Sequence, residues 1–279
     1  MLKQIAYKSW LILLSLPLTA VLLLMGWKKN TLAINLKMLA ITPPTCFRVR
    51  LYWHASKDFL AFLHGHPENP IYVSQRDQVK LDRIKGSGTL GGCLLLAAHF
   101  HNWEAMAAWL CRQGIPLLGS ALPLRHALAQ GALDHLRKRQ GIFTAGKKIL
   151  PTALKHLGRG GSVGVLWDQH SPHARESAFF FGHSVGLNPL PGFLIRHAEV
   201  RTFVTLLLPG GRLRLLDLGT TPIGWGAADL GKRYHRILER AIRAFPAYWY
   251  GFLHGRFKDQ IDYGNRRTVS RETSGMTPG

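Results

Sequence analysis

Residues 94–110 read LLLAAHFHNWEAMAAWL, and this stretch decides the fold. Its first part, LLLAAHF, is apolar without polar alternation, as expected of a strand buried on both faces of a sheet. Asn102 is a suitable cap for a following helix whose apolar positions include Met106, Ala107, Leu110 and Cys111, and Gly114 followed by Pro116 stops it. His99 is therefore expected at the carboxyl end of a buried strand and Glu104 in the first turn of the next helix. In open α/β sheets that junction is where ligands bind. A carboxylate there can accept a hydrogen bond from one imidazole nitrogen, fix the tautomer and leave the other nitrogen as a base. The plainer readings are a carboxylate that complements the helix dipole and a histidine that is simply a satisfied polar residue.

Working outward, 151–161 (PTALKHLGRGG) reads as the body of a helix closed by glycines, and SVGVLWDQ at 162–169 as another buried strand, with Asp168 at its carboxyl end. Asp168 then shares one rim of a parallel sheet with His99. IPLLGSAL (115–122) is a further strand, followed by a helical segment, RHALAQGALDHLRKRQG, ending in the basic cluster Arg137, Lys138 and Arg139, with Lys147 and Lys148 beyond it. Such a cluster is either a solvated helix end or a phosphate site. SAFFFG reads as a strand, TFVTLLLP and RLRLLDLG as a hairpin about Gly210 and Gly211, and residues 227–245 as an amphipathic helix ended by Pro246. Upstream, residues 30–85 are helical and loop-like, broken at Pro43 and Pro44, with a short helix in KDFLAFLHGHP. The fold class is α/β: a central, mostly parallel sheet flanked by helices, with one N-terminal transmembrane helix.

That last element is WLILLSLPLTAVLLLMGW at 10–27, an uncharged run bounded by tryptophans and flanked by lysines. No good cleavage site follows it, so it reads as an uncleaved anchor rather than a signal peptide, with the basic body on the cytoplasmic side. The expected organisation is an anchor at 1–30, one catalytic domain at 31–262 and a polar tail at 263–279.

Composition narrows the function. Thirty-six Lys and Arg against 15 Asp and Glu give a formal charge of +21, which calls for an anionic partner: nucleic acid, acidic lipid, a phosphorylated substrate or an acidic protein. The three cysteines form no close pair, which argues against a disulfide framework. No HExxH or CxxC accompanies the histidines, so neither a metal nor a cofactor is expected. GSGTLG at 86–91 matches GxGxxG by letter, but a strand follows it where a helix is needed. GHSVG at 182–186 fits the GxSxG elbow of serine hydrolases, and Ser184, Asp217 and His254 stand in a hydrolase order. Pro189 and Pro191, however, disfavour the helix that should start directly after the serine. A basic, membrane-anchored nucleic-acid-binding protein would explain the charge but not the residues at the strand ends, and no motif of that class is present.

The order of motifs resembles the lysophospholipid-acyltransferase superfamily, and within it the lipid A biosynthesis (lauroyl/myristoyl) acyltransferases. The resemblance runs from the apolar helix to about Lys258. It rests on the HxxxxE box at 99–104 and the Arg-containing helix end at 137–141. It rests also on Asp168-Gln169, on FFFG at 179–182, on Pro191-Gly192 and on WYGFLHGRFK at 249–258. Departures are Leu122-Pro123 where an Arg-Pro is usual, His101 where a glycine is common, Glu176 where small residues are typical, and a somewhat short chain. The resemblance implies a glycerolipid acyltransferase-like fold and transfer of a fatty acyl group from a thioester to a lipid hydroxyl. His99 would be the general base and Glu104 would orient it. Arg137, Asp168, Gln169 and Arg175 would contact substrate, Arg137 at either an oxyanion or a phosphate. The donor would be acyl carrier protein or acyl-CoA. The acceptor would be a phosphorylated glycolipid or a phospholipid, with no nucleic acid involved. The location would be the cytoplasmic side of a bacterial inner membrane.

Overall fold

Strand β2 (Cys93–Ala97) is buried along its whole length, as its uninterrupted apolar run demands. The chain is described here by a computed structural model covering residues 2–65, 67–86, 92–120, 127–146, 149–220, 226–258, 260, 261 and 263. β2 pairs in parallel with β5 (Ser162–Leu166) on one side and with β8 (Arg201–Leu208) on the other. Beyond β5 lie β3 (Leu117–Ser120) and β4 (Phe143–Ala145), also parallel. Beyond β8 lies β9 (Arg212–Thr220), antiparallel to it, and then the short β1 (Tyr72–Val73). The described strands thus make a mostly parallel sheet in the order β1-β9-β8-β2-β5-β3-β4. The hairpin about Gly210 and Gly211 is present as β8–β9; both glycines have φ of 79°, as a tight reversal requires.

Side chains alternate across β2. Leu94 and Leu96 join one apolar layer; Cys93, Leu95 and Ala97 join the other. The second layer is closed by α4 (Gln75–Gly86) and α5 (Trp103–Arg112), through Leu81, Ile84, Met106 and Leu110. Opposite lie α7 (Ile149–Leu157), α8 (Pro189–His197), α9 (Ala227–Ala244) and an antiparallel hairpin of β6 (Ser177–Phe180) and β7 (His183–Gly186). On α9 the buried Leu230, Tyr234, Leu238 and Ile242 recur every fourth residue, which is the apolar stripe of a helix laid on a sheet. α8 can cross α9 closely because Gly192 has no side chain; a Cβ there would lie 2.5 Å from Ala227 Cβ.

The N-terminal region holds α1 (Leu2–Leu24), α2 (Lys29–Met38) and α3 (Phe47–His64). Residues 4–24 are long and apolar enough to cross a membrane. The helix starts before Trp10 and stops short of Trp27, because Gly26 and Lys28 turn the chain with φ of 59° and 55°. It runs against α3: Leu11 is buried, and Thr19 Oγ1 donates to Ser56 Oγ at 3.2 Å. Its other side exposes Ile12, Leu13, Leu16 and Val21, as α3 exposes Val49, Phe59 and Leu63.

Several expectations are refined. α3 is far longer than the short helix read from KDFLAFLHGHP, since its buried Phe47, Leu51, Tyr52 and Phe62 continue one apolar face. GHSVG is not an elbow: residues 183–186 are β7, and helix α8 begins only at Pro189, capped by Asn188. β1, α4 and β4 are too short or too polar to stand out as periodic segments. Residues 87–91 of the GxGxxG match, Leu122-Pro123, Lys147, Lys148 and tail residues 264–279 lie outside the described residues.

One buried residue of this scaffold sets an acid limit. His235 on α9 donates from Nδ1 to the Phe179 carbonyl at 3.0 Å, and Arg256 Nη2 lies 3.4 Å from its Nε2. Burial, and then the Arg256 charge, push its pKa from 6.5 down to about 3. Between those values the unfolded chain binds a proton that the native chain refuses, so stability declines as pH falls through that window. Thermal unfolding of the full chain in detergent should shift to lower temperature from pH 6.5 downward. The decline should be shallower for His235→Gln. Identical pH slopes for the two proteins would contradict this assignment.

Candidate active site

The parallel register of β2 and β5 pairs Ala97 with Leu166, so His99 and Asp168, each two residues further on, leave the sheet side by side. His99 Nδ1 donates to Asp168 Oδ1 at 2.7 Å, and the His99 backbone N–H donates to Oδ2 at 3.0 Å. Trp249 Nε1 donates to the same Oδ2 at 2.8 Å. Asp168 is fully buried. Burial alone would raise its pKa, but the His99 charge, the two imidazole and indole hydrogen bonds and the backbone amide outweigh it and hold the carboxyl at about 2. A carboxylate on Nδ1 leaves Nε2 as the basic nitrogen. Gln169 Nε2 donates to that nitrogen at 3.1 Å.

The C-terminal aromatic segment builds the other wall. Phe100 bridges Trp249 in antiparallel fashion, Tyr250 N–H donates to the His99 carbonyl at 2.7 Å, and His101 N–H donates to the Tyr248 carbonyl at 2.7 Å. Trp249 can reach Asp168 because Gly251 is bare; a Cβ there would meet the indole at 2.1 Å. Arg256, also buried, donates to the Gly186 carbonyl at 3.0 Å and lies over Phe180, tying the β6–β7 hairpin to the same segment. His254 sits beside His99, with ring centroids 5.3 Å apart. Burial, then the neighbouring His99 charge, lower its pKa to about 4, so it is neutral at pH 7.

Glu104 does not orient His99; this corrects the pairing expected from their spacing. His101 takes a left-handed φ of 48°; Trp103, the first residue of α5, packs against the imidazole, while the carboxylate of Glu104 is bonded elsewhere. Asn102 caps α5 as expected, accepting from Ala105 N–H at 3.0 Å. Glu104 then meets Arg137 in the last turn of α6 (Ala127–Arg139), which donates from Nη2 at 2.5 Å and from Nε at 3.2 Å. Both side chains of this pair are nearly buried. Arg137 is therefore not a solvated helix end: its Nε and Nη2 are engaged by a carboxylate.

Two cavities meet at this ion pair. The first, about 70 Å³, runs between α5 and the sheet; its walls are almost wholly apolar, among them Ala97, Met106, Leu117 and Val165, and Gly119 and Gly164 keep it open. The second, about 330 Å³, lies between α3 and the His99 turn, with Trp27, Phe59, Phe62 and Leu253 beside Asp58, His101, Tyr250 and His254. Trp103, Glu104 and Arg137 line both. His99 touches their common wall through Trp103, at a ring-centroid distance of 4.9 Å.

The remaining candidates fall elsewhere. Arg175 is exposed on a separate surface hollow with Glu176 and Ser184. Ser184 is an exposed strand residue, and Asp217 is gripped by Arg201 at 2.8 Å on β8–β9, so the hydrolase triad is not assembled. Among the described residues no cluster of His, Cys, Asp or Glu is arranged to hold a metal. Asp58 belongs to the site but carries no local signal; Trp249 and Tyr250 stand in the motif at 249–258, and their partners, far away in sequence, reveal what each one holds. The chain matches no protein-family model, and no curated protein is significantly similar to it.

The Glu104–Arg137 pair permits a test that does not depend on function. Removing one partner of a poorly solvated ion pair strands the other charge, whereas replacing both with apolar groups does not. Arg137→Leu should lower stability by about 2–3 kcal/mol in urea unfolding, and the double substitution Glu104→Leu/Arg137→Leu should recover most of that loss. A double variant as unstable as the single one would show that the pair is not the constraint described.

Proposed function

We propose that this chain is a membrane-associated O-acyltransferase that moves a fatty acyl group from a thioester to the hydroxyl of a lipid. The observation that carries the reading is the Asp168–His99 dyad, whose imidazole packs on Trp103, a residue in the wall shared by an apolar cavity and a cavity of mixed lining residues. A hydroxyl is a weak nucleophile until a base takes its proton as the new carbon–oxygen bond forms. His99 Nε2 is that base. Asp168 fixes the tautomer and stabilises the imidazolium once the proton has arrived, the part first assigned to Glu104. The hydroxyl must displace Gln169 from Nε2, which releases the amide as a donor near the reacting atoms.

The attacked thioester carbon becomes a tetrahedral oxyanion, which then expels the thiolate; the imidazolium returns its proton to the leaving sulfur. No enzyme nucleophile is needed. The oxyanion requires preorganised donors. Arg137 offers one: Nε and Nη2 are held by Glu104, and Nη1, which makes no hydrogen bond among the described residues, is available. Glu104 in this scheme positions the guanidinium and not the base. The apolar cavity suits the acyl chain, and the mixed cavity suits the acceptor.

The setting agrees with this chemistry. The exposed apolar side of α1 and the exposed Val49, Phe59 and Leu63 suit a bilayer surface, and Phe59 and Trp27 lie in the wall of the mixed cavity, where a lipid would enter. The charge of +21 favours an anionic cytoplasmic leaflet and an acidic carrier protein as donor, with coenzyme A thioester as the other candidate. The similarity of motif order to the lipid A acyltransferases adds a lipid A precursor, or a related glycolipid, as the acceptor to try first, in a bacterial inner membrane.

In membranes holding the full chain, His99→Ala should abolish transfer of a radiolabelled acyl group from acyl carrier protein. Asp168→Asn should lower kcat by at least about a hundredfold, the usual worth of a positioned general base. Ser184→Ala should leave transfer intact. Gly119→Val narrows the apolar cavity and should shift the preferred donor to shorter chains, read by mass spectrometry of the product. Undiminished transfer in His99→Ala would end the proposal.

A further inference from the structure

The mixed cavity contains a second imidazole–carboxylate pair that the acyl-transfer scheme leaves unused. His101 Nδ1 donates to Asp58 Oδ2 at 2.9 Å, and the same carboxylate oxygen accepts from the Tyr250 hydroxyl. Asp58 comes from α3, His101 from the turn after β2 and Tyr250 from the C-terminal segment, and all three line the cavity. Both side chains of the His101–Asp58 pair are about nine-tenths buried, at 7% exposure each. The Nε2 of His101 makes no hydrogen bond among the described residues. The histidine also sits at φ 48°, a region that side chains with a Cβ rarely adopt. An imidazole held in a disfavoured backbone conformation, fixed by a carboxylate on one nitrogen and lining a cavity with the other unengaged, has the construction of a ligand contact.

The charges around it select the ligand. Asp58 and Glu104 bring two negative charges and Arg137 one positive; His254 and Tyr250 are neutral. The sum is −1, or zero if His101 carries a proton, so the cavity has no surplus positive charge for an anion. Cations stand at its margin instead: Lys28 and Lys258 lie near enough to His254 to lower its pKa. We infer that the mixed cavity receives an uncharged, hydroxyl-bearing headgroup, a sugar or a glycerol, with His101 Nε2 hydrogen-bonded to a hydroxyl other than the one attacked. This deepens the proposed function, and rests on it for identifying the headgroup with the acceptor. It assigns the binding of any phosphate on the same lipid to the rim.

The test uses the full chain in phosphatidylcholine nanodiscs and three probes with one tail: octyl glucoside, 1-O-octylglycerol and octyl phosphate. Binding is read by tryptophan fluorescence, since Trp27 and Trp103 stand in the wall, against empty nanodiscs. One of the two uncharged probes should bind at least about tenfold more tightly than octyl phosphate, and the preference between them tells a sugar from a glycerol source. His101→Gly should weaken that probe by about tenfold, the worth of one well-made hydrogen bond, and leave octyl phosphate unchanged. Glycine is at ease at this φ, so the variant is not expected to unfold. Tighter binding of octyl phosphate, or full affinity in His101→Gly, overturns the inference. If the probes behave as expected but no acyl transfer is found, the headgroup site stands and the reaction assigned to it falls.

Discussion

A carboxylate sealed at the end of a sheet strand is the constraint on which the rest of the site depends. Asp168 is removed from water, so its charge must be met by protein donors or be neutralised. Three donors meet it: an imidazole, an indole and a peptide N–H. Each comes with a structural demand. The imidazole and the peptide require β2 and β5 to be neighbours in register. The indole requires the C-terminal segment to fold over the sheet and Gly251 to leave room for the ring. Any arrangement that breaks one of these leaves a buried negative charge short of a partner, which is why strand order, C-terminal closure and the poise of His99 form a single problem with a single solution.

The same logic separates the two halves of the cleft. A guanidinium and a carboxylate stand together in the wall between the two cavities, each compensating the other, so this shared wall carries no bare charge. A group entering either cavity therefore meets this guanidinium and carboxylate already paired.

Much of the architecture was legible because a strand buried on both faces has no option but to be uniformly apolar. LLLAA at 94–98 and the run before Asp168 could hardly be anything else, and the Gly-Gly at 210–211 could only be a reversal. The residues at those strand ends were therefore identifiable as a group. Their pairing was not. Glu104 lies five positions from His99 and Asp168 sixty-nine, and no periodicity states that β5 is the strand next to β2. Proximity along the chain favoured the wrong carboxylate, and a left-handed turn at His101, which no residue-type rule anticipates, sends the nearer one toward Arg137. Asp58 and Tyr250 were illegible for a related reason. Each looks like an ordinary helix or aromatic-run residue until a third segment brings them to the same imidazole.

The distribution of the site along the chain also bears on how the protein is made. His99 is translated long before the tryptophan that completes its carboxylate's shell, and the apolar first helix precedes both. During synthesis the N-terminal helix emerges while the dyad is still without its last donor, so a nascent or prematurely terminated chain carries Asp168 with its shell incomplete. The shell of Asp168 closes only when the segment around Trp249 has been released and folded back, which makes reading through to that segment a condition of an assembled dyad, built into the order of the genetic message.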